Sequence, residues 1–218
     1  MGAAYPLASH HRDHGWGWCL MVAKLSNLAL AFILLASLIN LVIRSWRLNT
    51  IALVIQYLSM FILIGNVWPS ELAVIKLLIG WMVSAVLGIT LLSQPPVTPP
   101  KEKGDIANQI FRALAGILVL VLVNFLTPSV KTALSDTVAD SVIYGGLVLI
   151  GMGLLQLGMT SNPLYFMIGL LSFVSGFELL YAVVEVSTLL AGLLAGVNLG
   201  LVLVGAWLIT KSDRDVSK

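Results

Sequence analysis

A chain of 218 residues that is 59% hydrophobic and only 10% charged cannot clothe a water-facing surface, since soluble domains carry about 25% charged residues. The mean hydropathy of +1.00 and the long charge-free stretches mark lipid as the solvent and exclude an ordinary soluble enzyme. At roughly 20 apolar residues per crossing, about seven helices fill the chain and leave no room for a separate catalytic domain, and a formal charge of +2 is too small to imply nucleic acid.

Residues 1–24 read as an outer-side tail in which Tyr5, Trp16 and Trp18 suit the membrane interface. His10, His11 and His14 are metal ligands by type, but they lie in unpatterned polar sequence and read as solvated. With Arg12 and Asp13 among them, the tail departs from the basic-then-apolar layout of a cleaved signal. Pro6 stands where a myristoylation motif wants Ser or Thr, although Gly2 is present. Cys19 is the only cysteine, which excludes an intrachain disulfide or a multi-cysteine metal centre made by this chain alone.

Apolar runs at Leu25–Ile43, Thr50–Val67 and Leu72–Leu92 predict a three-helix unit over 25–93. Asn49 is placed to cap its second helix, and Trp68-Pro69-Ser70 to end one span and start the next. Residues 94–109 form a proline-rich linker carrying Lys101-Glu102-Lys103. Ile110–Leu126 predicts a connecting helix and 127–141 an outer loop. The runs Val142–Met159, Leu164–Val186 and Leu189–Ile209 predict a second three-helix unit over 142–210, followed by a tail over 211–218. There Asn162 is the cap and Pro163 the first-turn residue. Runs such as Ala115–Val123, apolar on every side, argue against the alternation of a membrane barrel. The fold class is therefore all-α and polytopic. A shift of 113 residues lays the first unit on the second, with Asn49 on Asn162, Ile55 on Ile168 and Ser59 on Ser172. Such matches arise from a shared ancestor or from leucine-rich composition alone.

Arg44, Arg47, Lys101, Lys103, Arg112, Lys211, Arg214 and Lys218 fall on one side, and Arg12, Lys24 and Lys131 on the other. The excess puts the C-terminus in the cytoplasm and the N-terminus outside.

A charge at mid-helix costs about 2.5–3.5 kcal/mol on insertion scales, so each one needs a partner or a role. Three stand inside the predicted spans, and they are the candidate proton-relay residues: Lys76, Glu178 and Glu185. Glu178 and Glu185 are seven residues apart on one face, with Ser175 and Ala182 in the same stripe and Tyr181 a neighbouring hydroxyl. Lys76 enters the third span from the same side and is placed to pair with one of these carboxylates. The plainer readings are snorkelling for Lys76, a packing role for Glu178, and water contact for Glu185 at the span boundary. Gln56, Asn66, Asn124, Gln156 and Asn198 read mostly as interhelical hydrogen-bond groups. Asn198 joins the relay candidates because it lies near the middle of a final span whose Gly192, Gly196 and Gly200 favour close packing on a neighbour.

The short turn Thr160-Ser161-Asn162-Pro163 and the string Phe166-Met167-Ile168-Gly169-Leu170 resemble the three-helix subunit K of respiratory complex I, which has a relative in the cation/proton antiporters assembled from several subunits. The longer chain, the loop Ser45-Trp46-Arg47-Leu48 and Lys76 are similar to component E of hydrogenase-4 type complexes. The resemblance implies a non-redox membrane subunit packed between antiporter-like and quinone-side partners in a bacterial inner membrane. It implies no cofactor in this chain, with quinone, flavin or iron–sulfur groups held by the partners. Two departures bear on proton transfer: the family's membrane glutamates fall on Leu171 and Gly196, and Glu178 is the displaced candidate. Two further readings are a purely structural assembly subunit of another respiratory or photosynthetic complex, and a small stand-alone transporter. The last is disfavoured by the scarcity of polar groups in the spans.

Overall fold

The computed structural model describes residues 13–93, 105–134, 138–185 and 187–216. Among these the chain is helical and contains no strand. The helices are α1 (Asp13–Val42), α2 (Trp46–Ile64), α3 (Ser70–Leu92), α4 (Asp105–Leu134), α5 (Asp140–Gly158), α6 (Pro163–Val184) and α7 (Thr188–Val216). Each contains a stretch long and apolar enough to cross a membrane, and the chain is an all-α polytopic membrane protein. Its surface agrees with that environment, since Leu92, Ile106, Phe125 and Leu189 are each at least 70% exposed. In water such faces drive association; in hydrocarbon they are solvated. Tyr5, His10, His11, Arg12, Lys101, Glu102 and Lys103 lie outside the described residues, as do the side chains of His14, Trp16, Trp18 and Cys19.

Two rows of three helices make up the bundle. In one row α1 packs on α2 and α2 on α3; in the other α5 packs on α6 and α6 on α7. Across the rows α1 meets α5, α2 meets α6 and α3 meets α7, while α4 closes one end against α1 and α5. The row order repeats in the manner of a 113-residue shift. Three polar residues buried in the spans do not repeat with it: under that shift Lys76 falls on Leu189, Glu178 on Gly65 and Asn198 on Ala85.

The closest helix contact is α5 on α6, and glycine makes it possible. Gly146 and Gly153 on α5 face Gly169 and Gly176 on α6, each pair seven residues apart and so on one face. A Cβ at Gly153 would lie 2.6 Å from the backbone nitrogen of Phe173, and one at Gly176 would lie 2.6 Å from the carbonyl oxygen of Gly146. Backbone meets backbone there, the small-residue route to helix association in lipid. The Gly192, Gly196 and Gly200 motif does not pack on a neighbour as its spacing suggests: no described atom lies within 4 Å of a Cβ at any of them, and all three face outward. α7 turns its other side inward, where Gly205 meets Met167.

Several boundaries also shift. α2 begins at Trp46, so Asn49 lies within the helix and its N–H donates to the Ser45 carbonyl at 3.0 Å; the N-cap position is Ser45, whose side chain makes no capping bond. Asn162 does cap α6, accepting from the Leu164 N–H at 3.0 Å with Pro163 in the first turn. α4 extends beyond 110–126 at both ends and continues through Pro128, so much of the expected loop over 127–141 is helix. A proline removes one helical hydrogen bond, and Thr127, beside it, returns its hydroxyl to the Val123 carbonyl at 2.8 Å.

Arg112 of α4 is buried and joins three helices at the end of the bundle where α1 meets α2. Its guanidinium donates to the Leu41 carbonyl at 3.3 Å and to the Met159 carbonyl at 2.6 Å, at the C-terminal ends of α1 and α5. A cation is favourable there, because helix C-termini present unsatisfied carbonyls and the negative end of the helix dipole.

Candidate functional site

The polar residues at the opposite end are positioned by helix geometry. Lys76 lies six residues into α3 and Glu178 six residues before the end of α6, so each is about 9 Å along its helix from the same side of the bundle. Both are buried, and they form an ion pair. Asn198, fully buried on α7, donates from Nδ2 to Glu178 Oε1 at 2.6 Å and to the Leu194 carbonyl at 3.1 Å. One carboxylate is thus shared by a cation from α3 and an amide from α7. Lys76 points inward rather than snorkelling.

Desolvating two charges is expensive, and their mutual attraction offsets the cost only with good geometry and further hydrogen bonds. Asn198 supplies such a bond. Toward the near end of the bundle the pair is covered by Trp68, whose indole N–H donates to the Ala182 carbonyl at 3.0 Å and so satisfies one of the open carbonyls in the last turn of α6. Beside the pair is a cavity of about 20 Å³, lined by Trp68, Leu72, Ile75 and Ile79 on one side and Ala191 and Leu194 of α7 on the other. That volume accommodates about one water.

Below Glu178, toward the far end of the bundle, polar groups continue. The Tyr57 hydroxyl faces Ser175 and lies within electrostatic reach of Glu178. Its ring is admitted by Gly80, where a Cβ would fall 2.4 Å from Tyr57 Cγ. One turn on, Gln56 Nε2 donates to Ser172 Oγ at 3.1 Å, and Asn40 Nδ2 donates to Gln56 Oε1 at 3.5 Å.

Of the sequence candidates, Lys76, Glu178 and Asn198 come together. Glu185 does not join them: α6 stops at Val184, and Glu185 occupies the C-cap in extended conformation, exposed. Among the amides, Gln56 bridges α1 and α6, Asn66 donates to Ser26 Oγ at 2.9 Å, and Gln156 donates to the Tyr165 carbonyl at 2.9 Å. Asn124 is exposed on α4 rather than set between helices. Leu171 is core, and Gly196 faces outward. The site contains three residues that sequence reasoning missed, Tyr57, Trp68 and Gly80. Their only signal was the position of Tyr57 beside Gln56 and of Gly80 one turn after Lys76.

Comparison with known proteins finds no matching family model, no matching curated protein and no matching solved structure.

Proposed function

We propose that this chain is a non-redox membrane subunit of an energy-converting complex of the complex I or hydrogenase-4 kind, in which Glu178 exchanges a proton and Lys76 is its counter-charge. The observation that carries the reading is the buried carboxylate shared by Lys76 and Asn198. Buried intramembrane charges in a polar setting mark ion or proton pathways by default. A proton added to Glu178 neutralises the carboxylate and removes the attraction holding the Lys76 ammonium. The adjacent cavity gives the ammonium, or one water, somewhere to turn. Loss of the proton restores the pair. Antiporter-like and quinone-side subunits are the partners in this reading, and redox groups belong to them. The lysine and arginine excess orients the chain with its N-terminus outside and its C-terminus in the cytoplasm of a bacterial inner membrane.

A second reading, a purely structural assembly subunit, is favoured by a different observation. The same triad ties α3, α6 and α7 together, and Trp68 covers it. Replacing Glu178 by Gln together with Lys76 by Met in the native complex, so that no unpaired charge is left buried, separates the two. Assembly retained with proton coupling lost supports exchange; assembly lost supports the structural role.

A further inference from the structure

The polar groups beneath Glu178 form a seam that neither pairing nor packing accounts for. On α6, Ser172, Ser175 and Glu178 follow at three-residue spacing, which keeps them on one face and advances about 4.5 Å per step. α2 presents Gln56 and Tyr57 and α1 presents Ser37 and Asn40, all buried. Asn40 lies in the last turn of α1, one turn before Arg44 at the end of the bundle, so the seam runs through most of the thickness between that end and Glu178.

Its hydrogen bonds are incomplete in a consistent way. Ser37 Oγ and Asn40 Oδ1 are buried with no hydrogen-bond partner among the described residues, and Tyr57 Oη and Ser175 Oγ, also buried, face each other without a well-formed bond. Each such group costs about 1–3 kcal/mol when nothing satisfies it, and isolated orphans are uncommon in native proteins. Four such groups along the seam make a polar lining with open hydrogen-bonding sites. Water is the ligand of matching chemistry, because one buried molecule makes about three hydrogen bonds and serves donors and acceptors alike. The Tyr57 and Ser hydroxyls rotate to give or accept.

We infer that the seam between α1, α2 and α6 binds a file of waters that links Glu178 to the end of the bundle where α1 meets α2. Along that file each oxygen accepts one proton and passes on another, so no group in it gains net charge. Gln56 and Asn40 hold the waters in line and do not titrate. The proton traffic rests on the exchange reading of Glu178; the hydration does not.

X-ray hydroxyl-radical footprinting of the full chain in lipid vesicles, read by mass spectrometry in ¹⁸O-labelled water, tests the hydration directly. Radicals formed from bound water oxidise the nearest aromatic ring, here Tyr57. We expect Tyr57 to take up label in the wild type, and its rate to fall at least about threefold in Gln56→Leu, where a water ligand becomes apolar. Ser175→Ala, a smaller change, serves as the second variant should Gln56→Leu not fold, with the same fall expected. A Tyr57 that stays at background in the wild type overturns the inference, and so does labelling indifferent to the substitutions, which would place the water in the cavity beside Lys76. A dry Tyr57 with proton coupling lost in Lys76→Met/Glu178→Gln removes the water file and leaves the exchange reading standing. A labelled Tyr57 with unchanged coupling does the reverse.

Discussion

Gly80 of α3 stands directly over the ring of Tyr57, and a Cβ in its place would lie 2.4 Å from Tyr57 Cγ and 2.8 Å from Tyr57 Cβ. The contact joins two helices of one row at the point where α2 turns its hydroxyl toward Ser175 of the other row. Gly80→Ala is therefore expected to displace the ring and to destabilise the chain by about 1–3 kcal/mol, the usual range for overpacking. In Gly80→Ala/Tyr57→Ala the two closest contacts, to Cγ and Cδ1, are gone, so the two effects do not add. Unfolding in mixed detergent micelles measures both; strict additivity would contradict the contact.

The ion pair sets a second expectation. Removing one member of a buried pair leaves an uncompensated charge, at about 3–5 kcal/mol, whereas replacing both by apolar groups is often neutral or stabilising. Lys76→Met alone should thus unfold more readily than Lys76→Met/Glu178→Leu. A double variant less stable than either single one would show that the residues do not act as a pair.

Glycines on α7 and α6 should behave oppositely. At Gly196 a Cβ enters open space, so Gly196→Ala is expected to stabilise the isolated chain by about 0.5–1 kcal/mol through helix propensity. At Gly176 a Cβ meets backbone of α5, and Gly176→Ala should separate the α5–α6 hairpin and lower the thermal midpoint. The same midpoint assay on both variants checks the assignment of the packed faces.

The pair between Lys131 and Asp140 spans 2.5 Å but is exposed, with Asp140 71% accessible. Exposed pairs contribute about 0–1 kcal/mol. Asp140→Asn should leave the unfolding midpoint nearly unchanged, and a large drop would mean that this pair holds α4 to α5.

Much of the fold was legible in the sequence because hydrocarbon makes a simple demand: long apolar runs and polar breaks. That demand located the crossings and brought out Lys76 and Glu178, since charges in spans are conspicuous. It did not say which side of a helix faces inward. Gly192, Gly196 and Gly200 look like a packing seam by spacing, yet Asn198 draws the other side of α7 inward to Glu178. The working seam, at Gly146, Gly153, Gly169 and Gly176, has seven-residue spacing split over two helices, and only the pairing of those helices makes it visible. Glu185 fits the periodic stripe but lies one residue past the end of α6, beyond the buried part of the bundle. Trp68 was legible as a helix break and not as the donor that closes the last turn of α6.

The proposed function turns on whether the carboxylate held by Lys76 and Asn198 exchanges a proton during turnover. Protons translocated per electron pair, measured in membrane vesicles bearing the intact complex with Lys76→Met/Glu178→Gln, which leaves no unpaired charge buried, give the answer most directly. Normal assembly with translocation reduced is the expected result; normal assembly with an unchanged ratio would contradict proton exchange at Glu178.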